Sequence, residues 1–108
     1  MKYVAMLALT GVLAATAVAP APAVAGYQFT VVATADQVLF KATDAANARN
    51  FSSVIVPPNS SKLVFVEKTA WYKLAITVCG KTHDVDWNAK TNGVIVTVRG
   101  CNSFTFKE

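Results

Sequence analysis

The sequence predicts an all-β protein, a small antiparallel β-sandwich or barrel of about six to eight strands with one disulfide. Three observations point to it. Apolar and polar residues alternate with period two through several short runs, as strands with one buried face do. Turn-forming residues interrupt those runs every 8–12 residues or so. No stretch keeps the 3.6-residue period of an amphipathic helix. Hydrophobic residues make up 54% of the chain and charged ones 15%, enough apolar surface to build a core and too much for a disordered chain.

Taken in order, Tyr27, Phe29 and Val31 alternate with Gln28 and Thr30 as the first strand. Val38-Leu39-Phe40 begins a second, ending near Thr43. Asp44 to Arg49 is rich in Ala and Asn and reads as a loop or one helical turn. Ser53 to Val56 forms a strand that stops at Pro57-Pro58-Asn59, where proline fixes φ. Leu63 to Val66 is apolar on both faces, the pattern of a strand inside a sandwich core. From Trp71 to Cys79, Tyr72, Leu74, Ile76 and Val78 share one face, and Trp71, Lys73, Ala75, Thr77 and Cys79 the other. Thr82 to Trp87 is a weaker strand with Trp87 in phase with Val85, which makes Trp87 a core residue. Asn92-Gly93 is the strongest local turn signal, before Val94, Val96 and Val98. Gly100-Cys101-Asn102 then turns into a last strand with Phe104 and Phe106 on one face.

Residues 1–25 have the layout of a secretory signal peptide. One lysine precedes an apolar run from Val4 to Leu13, and small residues lead to Ala23-Val24-Ala25. The run falls short of the roughly 20 apolar residues that span a bilayer. Cleavage before Gly26 leaves residues 26–108 as a single domain, secreted to the extracellular space, or to the periplasm if the producer is bacterial. In such an oxidising compartment Cys79 and Cys101, the sole cysteines, are expected to pair. Closing a loop of roughly two dozen residues contributes about 3 kcal/mol on the chain-entropy account.

The chain counts 10 Lys and Arg against 6 Asp and Glu, a net charge of +4 that falls by one when Lys2 leaves. The basic residues are scattered singly, whereas nucleic-acid binders cluster them on one element, so no nucleic-acid partner is expected. His83 is the sole histidine, and Met1 and Met6 belong to the leader. That removes two-histidine zinc and blue-copper ligand sets, and no metal or cofactor is expected. Asp84-x-Asp86-x-Asn88 opens like a calcium loop, but an EF-hand needs Gly at its sixth position and Glu at its twelfth; here Ala89 and Ile95 stand there. Ser52, Ser53, Ser60, Ser61 and Ser103 lie in no nucleophile elbow. The acids Asp36, Asp44, Glu67, Asp84 and Asp86 form no distinctive pair. No catalytic residue is assigned.

Recognition has two candidates, Trp71 and Lys73, on the polar face of their strand, where an aromatic can anchor an interface. Asn50-Phe51-Ser52 and Asn59-Ser60-Ser61 are N-glycosylation sequons in expected loops, usable at Asn50 and Asn59 in a eukaryotic secretory route.

Val56-Pro57, Leu63-Val64-Phe65-Val66, Tyr72, Cys79-Gly80 and Gly100-Cys101 resemble the layout of the ToxB-like MAX effectors of fungi. The leader, with Ala19-Pro20-Ala21-Pro22-Ala23, is similar to fungal secretory leaders. The resemblance covers residues 53–101 and implies a disulfide-stapled sandwich of six strands that acts without catalysis by binding a host protein. Members of that family usually tie a first-strand cysteine to one near the fourth strand; the first strand here carries none. The expected function is therefore a secreted, non-enzymatic protein that binds a protein partner, as a fungal effector or toxin acting in virulence. The alternatives are a bacterial periplasmic or surface module, such as an enzyme inhibitor or adhesin accessory, and a small hydrolase using His83.

Intact mass of the protein from its native secreting cells tests the export reading. The expected species begins at Gly26 and takes up alkylating reagent on two thiols only after reduction; a chain retaining residues 1–25 contradicts it.

Overall fold

Burial alternates residue by residue along Gly26–Ala33 (β1), where Tyr27, Phe29, Val31 and Ala33 point inward. The computed structural model describes residues 26–108, so the expected signal segment lies outside the described residues. Seven further strands follow: Val38–Asp44 (β2), Asn47–Val56 (β3), Ser60–Glu67 (β4), Trp71–Val78 (β5), Lys81–Asn88 (β6), Gly93–Val98 (β7) and Phe104–Lys107 (β8). Among the described residues there is no helix.

Two four-stranded sheets result, ordered β4-β1-β7-β8 and β3-β2-β5-β6. All pairings are antiparallel except β1 with β7, which runs parallel with Phe29 opposite Val94. That exception to the antiparallel expectation follows from chain order. A parallel pair needs a long crossover, and β2 to β6 supply it while building the whole of the opposite sheet. Hairpins join β2 to β3, β5 to β6 and β7 to β8; the other connections pass between sheets.

The inward residues of both sheets form one core. Its centre is aromatic: Tyr27, Phe29, Phe40 and Tyr72 have ring centroids 5.0–5.3 Å apart. Such tilted and edge-on pairs contribute about 0.5–1.5 kcal/mol each beyond area burial. Leu74, Ile76, Val94 and Val96 extend the core along the strands, and Val85, Trp87, Phe104 and Phe106 pack against its flank half-buried. Both tyrosine hydroxyls are satisfied. Tyr72 donates to the Glu67 carbonyl at 2.7 Å and accepts from the Thr69 N–H at 3.0 Å, while Tyr27 accepts from Trp87 Nε1 at 3.0 Å.

The two lateral sides of the sandwich are closed differently. Between β3 and β4, Ser52 Oγ donates to the Phe65 carbonyl at 2.7 Å and Asn50 Nδ2 to the Glu67 carbonyl at 3.3 Å. Between β6 and β8, Trp87 stacks on Phe106 at 5.3 Å and the Cys79–Cys101 disulfide ties the hairpin turn to the β7–β8 connection. Cys79 itself belongs to that turn, beyond the end of β5. Cys79 and Gly80 have φ of 55° and 74°, the two positive values that a two-residue type I′ turn requires.

Three local expectations change. Asp44 to Arg49 is neither a long loop nor a helical turn: β2 and β3 are joined through Ala45 and Ala46 alone, with the Ala46 N–H held by Asp44 Oδ1 at 2.8 Å. Asn92-Gly93 marks a passage between sheets instead of a hairpin, and a Cβ at Gly93 would stand 3.0 Å from the Gln28 carbonyl oxygen, so a larger residue would require β1 to give way by a few tenths of an ångström. β4 is not a strand covered on both faces, because Leu63 and Phe65 are about half exposed while Val64 and Val66 are buried.

Removing the Tyr72 hydroxyl strands the Glu67 carbonyl and the Thr69 N–H. Tyr72→Phe is therefore expected to lower stability by about 1–3 kcal/mol, read from denaturant unfolding, whereas Tyr72→Phe at wild-type stability would show these bonds to be replaceable by water.

Candidate functional site

Trp71 opens β5 on the outward phase, so the alternation that buries Tyr72 projects its indole to solvent, where it is 50% exposed. The backbone beneath it is held from two sides. The Trp71 carbonyl accepts from the Ala45 N–H at 3.0 Å, and the Ala70 carbonyl from the Ala89 N–H at 2.9 Å. Tyr72 fixes the Lys68–Ala70 connection from inside through the two bonds described above. The register sets Trp71 opposite Asn88 and Lys73 opposite Asp86. Lys73 Nζ lies 3.7 Å from Asp86 Oδ1, an ion pair with both side chains mostly in water and so worth little in stability.

Three adjoining hollows share Trp71. One of about 300 Å³ runs over Ala45, Tyr72, Lys73 and Asp86. A second, about 230 Å³, is walled by Asp44, Ala46, Thr69 and Ala70. The third, about 250 Å³, is bordered by Asp86, Trp87, Asn88, Lys90 and Glu108. Trp71 and Lys73 are thus brought together with groups from two other strands, β2 and β6, from the connections beside them and from Glu108. Asp44 is already engaged: the Ala46 N–H, with help from the Asn50 amide, holds its carboxyl below the ordinary 3.8 despite partial loss of water.

A second surface was hidden in the sequence. Leu63 is 55% exposed, Phe65 51% and Ile95 44%, all outward on the first sheet. Leu63 and Ile95 flank Thr30 in one row across β4, β1 and β7, and Phe65 lies beside Gln28 in the next. An apolar residue at every position from Leu63 to Val66 is equally compatible with two covered faces, so only exposure in the fold identifies this patch. The second sheet's outer face also exposes Leu39, Phe51 and Ile55 but mixes them with charge: Lys41 sits 4.7 Å over the Phe51 ring, and Lys73, Asp84 and Asp86 lie on the same face.

The remaining candidates are dispersed. His83 lies inward on β6, with Nε2 3.0 Å from the Cys101 carbonyl oxygen and its ring against Phe104 at 4.8 Å. Asp84 and Asp86 project to the opposite side of that strand. Ser52 and Ser60 give their hydroxyls to the Phe65 and Pro58 carbonyls. Asp84, Asp86 and Asn88 line an extended strand with about 6–7 Å between successive members, not a loop coiled around an ion. Asp36 comes within 4.8 Å of the Cys79 and Cys101 sulfurs, but those two are bonded to each other. Asn50 is not in a loop: it belongs to β3, and its amide donates to Asp44 Oδ2 and to the Glu67 carbonyl. Asn59 occupies an exposed turn at φ 58°. Of the two sequons, only Asn59-Ser60-Ser61 presents an unengaged amide.

Compared with protein-family models, curated proteins and solved structures, the chain has no match.

The lowered Asp44 value has a sign that can be checked. A folded state that favours the carboxylate gains stability above the ordinary pKa and loses it as pH falls through the lowered one. Asp44→Asn is expected to make urea midpoints fall less than wild type between about pH 7 and about pH 3; an identical acid loss in both proteins contradicts the role given to this carboxylate.

Proposed function

We propose that the chain is an exported, non-enzymatic protein that acts by binding a protein partner through the outer face of the β4-β1-β7-β8 sheet. One observation carries this reading: the centre of that face carries no charge and exposes Leu63, Phe65 and Ile95 around the neutral Gln28 and Thr30. Gln28, Thr30, Val32, Leu63, Phe65 and Ile95 occupy it, and charge enters only at its margins with Glu67 and Lys107. Depletion of charge at the centre, with an aromatic present, is the composition of interface cores. The patch suits a folded partner that offers an apolar, uncharged surface of its own.

The surrounding chemistry supports the reading without a catalytic step. The disulfide suits an oxidising compartment, and His83 is engaged by a main-chain carbonyl and an aromatic ring. The layout shared with ToxB-like fungal effectors favours a host protein as the partner. A bacterial periplasmic or surface module is the alternative source of the same binding activity.

A photoactivatable cross-linker placed at Ile95, with Thr82 on the opposite face as control, tests it. Adducts from plant tissue extract are expected from Ile95 alone and are expected to fall roughly tenfold or more when Phe65→Asp is added. Because Phe65 is half exposed, that change should shift stability by only about 0.5 kcal/mol. Equal adducts from both positions, or adducts indifferent to Phe65→Asp, overturn the proposal.

A further inference from the structure

We infer that the hollows around Trp71 form a binding site for an uncharged, hydroxyl-rich ligand, a neutral oligosaccharide. The site lies on the other sheet from the proposed protein-binding face and is independent of it.

The argument starts from the indole. A half-exposed tryptophan on a pinned backbone is a flat, rigid platform whose π face carries partial negative charge. The C–H face of a sugar ring, slightly positive and nearly flat, is complementary to it, while its hydroxyls are directed to the rim. A hydroxyl both donates and accepts, so a sugar needs acceptors and donors side by side. The rim supplies both: Asp86 and Glu108 accept, Lys73 and Lys90 donate, and the Asn88 amide does either.

The charges decide against other ligand classes. Two cations face two anions around the indole, and Lys73 and Asp86 are already paired at 3.7 Å. A phosphate or an acidic peptide would meet the carboxylates, and a cationic ligand would meet the lysines. Asp44, bordering the apolar flank, stays a carboxylate held by the neutral Ala46 N–H and Asn50 amide, and its negative charge adds to the repulsion of an anionic ligand. That flank, walled by Ala46, Thr69 and Ala70, gives a neighbouring sugar ring small side chains to lie against. The three hollows all border Trp71, and the first is near the lower limit of ligand-site volumes, about 300 Å³.

The test is a titration of the oxidised protein with cellohexaose, chitohexaose, laminarihexaose and mannohexaose, followed by the two indole N–H resonances. At least one hexasaccharide is expected to move the Trp71 signal by more than that of Trp87, which borders the third hollow but keeps its N–H on Tyr27. Trp71→Ala is expected to weaken binding roughly tenfold or more and Trp71→Phe by a few-fold, since a smaller ring keeps part of the stacking. Affinity should change less than about twofold over a tenfold range of salt, because no net charge is neutralised. Phe65→Asp should leave saccharide binding intact, so failure of one site is distinguishable from failure of the other. No shift of the Trp71 signal with any of the four sugars at about 10 mM, near the weak limit of useful affinity, overturns the inference. So does saccharide binding that Trp71→Ala leaves unchanged in a variant with wild-type melting.

Discussion

The packing of Tyr27, Phe29, Phe40 and Tyr72 between the sheets is the constraint on which the rest of the structure depends. These rings come from β1, β2 and β5, the strands nearest the centre of each sheet, and they hold the two layers in contact. Two of the four carry hydroxyls, so the core also reaches outward at its end. Tyr72 fastens the β4–β5 connection and Tyr27 receives the Trp87 indole. Burial raises the Tyr72 pKa above its ordinary 10.0, since the phenolate would lose its water there. The side chain therefore stays a neutral donor over the whole physiological range. Trp71 inherits its exposure from this arrangement, because with Tyr72 committed inward its neighbour must project outward.

A sandwich with four edge strands has unpaired backbone groups to manage. On one side β3 lends side chains to β4, with Ser52 and Asn50 filling carbonyls that no strand pairs. On the other, a disulfide, a histidine and a tryptophan–phenylalanine stack close the flank, while β6 presents Asp84 and Asp86, charges that discourage another chain from adding to it. The outer face of the first sheet is uncharged at its centre; that of the second mixes exposed Leu39, Phe51 and Ile55 with charge and carries an ion pair beside the Trp71 indole. Different partners suit the two, and both proposed sites can be filled at once because they lie on opposite layers.

Much of this was legible in the sequence, and the reason is geometric. Where one face of a strand is buried and the other wet, period two writes the outcome directly into residue type. β1, β5 and β7 were read from that alternation, as were the inward set Tyr72, Leu74, Ile76 and Val78 and the outward pair Asp84 and Asp86. The pairing of Cys79 with Cys101 was expected from there being only two cysteines. Trp71 and Lys73 were placed on the outward face by the same alternation, though whether a loop covered the indole was not written there.

Tertiary structure decided what alternation leaves degenerate. Leu63-Val64-Phe65-Val66 is apolar at each position, so periodicity cannot say which face is covered; only the layer count does, and among the described residues no third layer lies over Leu63 and Phe65. Asn50 read as a loop residue because Ala and Asn disfavour strands, yet β3 is held by its pairing with β2 and by bonds from Asn50 and Ser52 to β4. The parallel contact of β1 with β7 joins residues far apart in the chain, and no local pattern encodes it. The hollows around Trp71 gather Ala45, Lys73, Asp86, Lys90 and Glu108 from separate segments. Local residue type determined which way most side chains point; the stacking of the sheets determined which of those directions end in solvent and which side chains meet there.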